Sequence, residues 1–98
     1  MSPQDGQTAT TARRVVTICN QRGLHARAAA RFVKTAGQFT ADVQVRKNGT
    51  TVSGRSIMGL MMLAAASGAP IEITAVGPDA EAAVATLARL IECKFDED

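Results

Sequence analysis

The sequence predicts an α+β fold, an open-faced sandwich in which a four-stranded, mostly antiparallel sheet carries three helices on one face. Three observations lead there. The strand candidates alternate apolar and polar residues, which suits a sheet covered on one side only. The helix candidates repeat apolar residues at spacings of three and four, so each has one face to bury. The elements follow in the order β-α-β-β-α-β-α, with no internal repeat and no linker between them.

The first twelve residues, MSPQDGQTATTA, are small and polar without periodicity and read as a disordered arm. The folded domain is expected over residues 13–95, with an acidic tail at 96–98. RRVVTICN forms a first strand, with Val16 and Ile18 on one face and Val15, Thr17 and Cys19 on the other. After the NQRG turn a helix carries Ala29, Phe32, Val33 and Ala36 in one stripe and is stopped by Gly37. In ADVQVR, Ala41, Val43 and Val45 alternate with Asp42, Gln44 and Arg46, and Asn48-Gly49 turns the chain into the short TTV as a hairpin. A second helix is expected from Ser56 to about Ser67, ending near Gly68, and PIEITAV alternates as the last strand. Pro78 and Asp79 open a final helix whose stripe is Ala80, Ala83, Val84, Leu87, Leu90 and Ile91. Asp79 is its expected N-cap, although Ala82 stands where a glutamate would complete a capping box.

With 98 residues, 46% of them apolar, the chain can bury a core in one domain without staples. It has no apolar run long enough for a bilayer, and its amino terminus lacks both a basic and an apolar signal region, so a cytoplasmic protein is expected. Cys19 and Cys93 stand apart from each other and from the one histidine; two reduced thiols, no metal and no cofactor are expected. The net charge of +2 is modest, and the acidic tail offsets part of the basic amino-terminal half, which argues against duplex binding.

Three classes of function fit the order of elements. RNA recognition modules share it, but they stack bases on aromatic side chains of the sheet. Here the three phenylalanines lie in predicted helices or helix ends, and there is no tyrosine or tryptophan. A small-molecule sensor of similar topology leaves the histidine unexplained. A histidine-based phosphoryl carrier accounts for it. Leu24 and His25 stand where the first helix begins, among amides without intrahelical partners and at the positive end of the dipole. That end disfavours the imidazolium, and a neutral imidazole nitrogen can attack phosphorus. The phosphoryl group would then lie against the free amides, with Arg27 as a further donor. No local motif ties a carboxylate, a serine or a second histidine to His25, so a hydrolase triad is unsupported. Local context leaves open a histidine that serves only as a helix cap or boundary residue.

From Ile57 to Ile71 there is no charged residue. With Leu60, Leu63 and Ala64 toward the core, Ile57, Met58 and Met61 remain exposed as an adaptable docking patch. A buried helix or a homodimer contact is the alternative use of the methionines. Ser56 is the expected N-cap of this helix, and Arg55 beside it favours an anion there.

GLHARAAARF, GRSIMGLMML and the Asn-Gly hairpin together resemble the HPr family, the histidine-containing phosphocarriers of the bacterial phosphoenolpyruvate:sugar phosphotransferase system, over roughly Arg13 to Cys93. The resemblance implies a cytoplasmic carrier and not an enzyme. Enzyme I would phosphorylate Nδ1 of His25, which would pass the group to an enzyme IIA; Arg27 would assist the phosphohistidine. It further implies that Ser56 is the site of an HPr kinase/phosphorylase and that Ile57, Met58 and Met61 belong to the docking surface. A monomer is expected, with neither nucleic acid nor membrane as partner. The family usually reads H-A-R-P-A, and Ala28 stands in the proline position. Alanine leaves an extra donor and a looser helix start, worth about 0.5–1 kcal/mol in either direction. The reading leans toward a regulatory, nitrogen-related branch of the system over bulk sugar uptake.

Overall fold

Alternation decides which face of each strand is covered. In the computed structural model, which describes residues 10–97, β1 (Thr11–Thr17) buries Val16 and leaves Val15 exposed. β2 (Asp42–Lys47) buries Val43 and Val45, and β4 (Pro70–Val76) buries Ile71, Ile73 and Ala75. The short β3 (Thr50–Ser53) follows β2 through Asn48 and Gly49, both at positive φ, as a two-residue turn between twisted strands requires. The sheet runs β1-β4-β2-β3 and every pairing is antiparallel. Val16 faces Ile71, and Val45 faces Ile73 from the other side of β4. Three helices complete the open-faced sandwich, α1 (Ala26–Ala36), α2 (Ile57–Met62) and α3 (Ala80–Glu92).

Boundaries differ from expectation in instructive ways. β1 begins at Thr11, so Thr11 and Ala12 are strand rather than arm; the rest of the expected arm, 1–9, and the last residue lie outside the described residues. Gly37 ends α1 with φ −67°, a right-handed conformation that uses none of glycine's freedom. α2 stops at Met62, well short of Ser67. Ala64 turns left-handed (φ 52°), and the chain beyond it joins the segment leading to α1: Leu24 N–H donates to Ala65 O (2.9 Å), Ile18 N–H to Ala69 O (2.9 Å) and Gly68 N–H to Ile18 O (2.7 Å). A longer helix would have kept those groups for itself. The same reversal exposes Ala64, expected in the core, and buries Ala65.

Asp79 holds the N-cap position of α3, its carbonyl accepting from Ala83 N–H (3.0 Å), but its side chain makes no cap bond to the helix. Its carboxylate accepts from Thr40 N–H and Ala41 N–H, each at 2.8 Å, and so ties the helix start to the loop before β2. In the stripe of α3, Leu90 is only half-buried while Ala88 is buried. Beyond Cys93 the chain makes a short turn, Lys94–Asp96, whose three residues all have positive φ (57°, 55° and 61°). Left-handed non-glycine residues cost about 1–2 kcal/mol each. Phe95 is fully buried by this turn, and such burial, worth about 1.5–3 kcal/mol, offsets part of the cost. Of the expected acidic tail, Asp96 thus closes a turn docked on the fold and Glu97 follows it, and Asp98 lies outside the described residues.

Candidate functional site

His25 is the N-cap of α1. Its backbone is extended (φ −76°, ψ −179°), its carbonyl accepts the first helical bond from Ala29 N–H (2.8 Å), and its Nδ1 accepts from Arg27 N–H at 3.3 Å. The loop before it is held against the chain that follows α2. Gly23 has φ 67°, and a Cβ there would meet Ala65 O at 2.4 Å and Ala66 Cα at 2.9 Å, so only glycine permits this approach. Buried Leu24 and Asn20 anchor the loop, the latter donating from Nδ2 to Gly23 O (2.9 Å).

The second nitrogen of the ring has a partner that local motifs did not reveal. Glu97, delivered by the left-handed turn, places Oε2 at 2.7 Å from Nε2 of His25, and Asn20 Nδ2 donates to its Oε1 at 3.1 Å. The histidine and glutamate side chains are 17% and 13% exposed. Burial pushes the Glu97 carboxyl up, but hydrogen bonds from Asn20 and His25 and the charges of His25 and Arg22 outweigh it and hold the group below its ordinary value. Two contacts then assign the ring proton in neutral His25. Nε2 donates to the carboxylate, and Nδ1, accepting an amide, keeps its lone pair. Separation by 72 residues hid this contact from any reading of local spacing. The one signal available was Phe95, a large apolar residue with no place in an exposed tail.

Arg27 is exposed in the first turn, and Arg22 borders a shallow depression beside His25 that is lined also by Leu24 and Ala64 to Ala66. Ala28 is buried in that turn, and its amide precedes the first helical bond of α1. An anion on Nδ1 would therefore meet first-turn amides and arginines. Arg31 Nη1 lies 3.6 Å from Asp96 Oδ2, an exposed pair that adds little to holding the tail. No cluster of three or more potential metal ligands occurs among the described residues.

Beside the depression runs α2. Ser56 caps it, Oγ accepting from Gly59 N–H at 2.9 Å. Ile57, Met58 and Met61 are exposed as expected, and Met62 joins them at 77%. Leu60 and Leu63 are buried. Arg55 does not turn to the serine: its guanidinium donates to the carbonyls of Phe39 (3.1 Å) and Ala41 (3.4 Å).

Comparison with known proteins gives a consistent result. Residues 12–93 match the family described as PTS HPr component phosphorylation site. The phosphocarrier protein HPr of Neisseria meningitidis serogroup B is 50% identical over 82 residues, 84% of this chain and 92% of that protein. The phosphocarrier protein NPr of Shewanella violacea is 40% identical over 88 residues, 90% and 97% of the two chains. Among solved structures, an HPr of Thermoanaerobacter tengcongensis superposes with a TM-score of 0.85 at 41% identity, covering 89% of this chain and 98% of that one.

Proposed function

The chain belongs to the HPr family, the phosphocarriers of the phosphotransferase system, and from that premise we propose that His25 is the residue that takes up the phosphoryl group. A member of this family is a carrier and not a catalytic enzyme, and it works with phosphotransferase-system enzymes such as enzyme I and IIA. The observation that carries the assignment is an imidazole at a helix N-cap whose Nδ1 keeps its lone pair and lies beside first-turn amides.

The transfer runs without a proton leaving the ring. Nδ1 attacks phosphorus, the bond between phosphorus and the donor breaks, and the electron pair of that bond goes with the donor. The Arg27 amide, released from Nδ1, becomes available to a phosphoryl oxygen, and its guanidinium adds a charge-assisted donor. Ile57, Met58 and Met61, with Met62, form the face on which enzyme I and then an enzyme IIA dock in turn. No described helix is long and apolar enough to cross a membrane, and a monomer working in the cytoplasm fits the carrier role. Ser56, capping the helix that bears this face, is proposed as the site where a kinase regulates docking. The lean toward a nitrogen-related branch finds support in the similarity to a protein named NPr, while relatives named HPr support the sugar branch equally well.

The test is incubation with enzyme I and labelled phosphoenolpyruvate. The label should be lost in acid and survive alkali, as a phosphorylated imidazole requires and a serine ester does not, and His25→Ala should take up none. Full labelling of His25→Ala would sink the assignment.

A further inference from the structure

We propose that Glu97 is a positioning residue for phosphoryl transfer, its carboxylate holding the Nε2–H form of His25 and balancing the positive charge the ring acquires when Nδ1 bonds to phosphorus. The inference rests on the carrier reading above and adds to it the residue on the far side of the ring. Three features of the geometry converge on it. The carboxylate lies 2.7 Å from Nε2. Its other oxygen is held by buried Asn20, whose amide also fixes the loop that carries the histidine. The turn that delivers it runs through three left-handed residues and is pinned by buried Phe95. A contact resting on that much unfavourable backbone is unlike an incidental surface ion pair.

The charge balance explains what the carboxylate does. Attack requires the neutral ring, with hydrogen on Nε2 and the lone pair on Nδ1. Forming the N–P bond draws that pair to phosphorus and leaves a phosphoimidazolium whose positive charge is shared with Nε2. The hydrogen stays in place, and the Glu97 carboxylate, already aligned, meets the new charge without reorganisation. On delivery the N–P bond breaks, the pair returns to Nδ1 and the ring is neutral again. Because the carboxylate lies at Nε2, on the opposite side of the ring from the incoming phosphoryl group, its repulsion of that group is the smaller effect.

The experiment compares the full chain with Glu97→Gln and Glu97→Asp. Transfer from phosphorylated enzyme I is measured over a range of carrier concentrations, and the ring nitrogens of His25 are followed by 15N NMR. For Glu97→Gln we expect kcat to fall about tenfold, KM to stay within about twofold because the docking face is untouched, the melting temperature to hold, and the Nε2 resonance to shift. Glu97→Asp should recover part of the rate. If the parent itself takes no phosphate on His25, the carrier assignment fails and this one with it. If the parent is phosphorylated there and Glu97→Gln matches it in kcat and ring resonances, only the role of Glu97 falls. A change confined to KM would make Glu97 a docking contact, and faster transfer in Glu97→Gln would make the tail an inhibitory cover; either result overturns the proposal.

Discussion

Asp79 uses its carboxylate on a neighbouring loop, and the consequence is measurable. The amide of Thr40 lowers its pKa, partial burial opposes this, and the amides of Ala41 and of Asp79 itself lower it further, so that the folded value lies below the ordinary 3.8. A carboxylate with a depressed folded value stabilises the protein fully above its unfolded value, and that contribution is lost as pH falls through the folded one. Asp79→Ala should therefore lower the melting temperature by several degrees at pH 7, and the gap to the parent should narrow below about pH 4. Thermal melts from pH 7 to pH 2 provide the check; a gap that stays constant would mean the carboxylate is not the cause. Residues of this kind were the hard ones to read. That His25, Arg27 and Ser56 stand at helix starts is legible because such a start announces itself within four or five residues, whereas Asp79 and Glu97 act on groups 38 and 72 positions away. The local cap signal at Asp79 was real as chemistry, but two amides of another loop outcompeted the helix for its oxygens.

At the scale of elements, α2 is the part most changed from expectation. Its charge-free run reads as a long helix, since periodicity cannot report a backbone that leaves the helix to pair with another segment. What remains is a six-residue helix with an intact serine cap and four exposed apolar side chains. Ser56→Asp should keep stability within about 1 kcal/mol of the parent, because aspartate is also a competent cap. Its charge lies next to Ile57 and Met58, where docking would strip water from a carboxylate that Arg55, engaged with Phe39 and Ala41, does not pair. Phosphorylation of His25 by enzyme I should then show a raised Michaelis constant. Equal rates at low carrier concentration, with an unchanged melt, would leave Ser56 a helix cap and nothing more.

Over the whole molecule, the four alternating strands and three amphipathic stripes sufficed to predict the open-faced sandwich, because one-sided burial leaves few ways to stack them. The strand order and the docking of the chain end were not legible, for both depend on which distant segments meet. At Gly23 two such segments press close together. Gly23→Ala should destabilise the fold by about 2–4 kcal/mol, through a disfavoured left-handed φ and a clash with backbone that cannot swing aside. Chemical denaturation would measure it, and a loss below about 0.5 kcal/mol would show that the loop relaxes freely. The sheet order bears as well on how the protein is made. β1 precedes the other described strands in the chain, yet among the described residues its one partner in the sheet is β4, more than fifty residues later. The β2–β3 hairpin closes locally and can form early, but β1 must wait. His25 waits longer still, since residues 65 to 69 brace its loop and Glu97 completes its surroundings. A nascent chain that already displays the histidine thus lacks the contacts that surround it until residues 65 to 69 and Glu97 have been made.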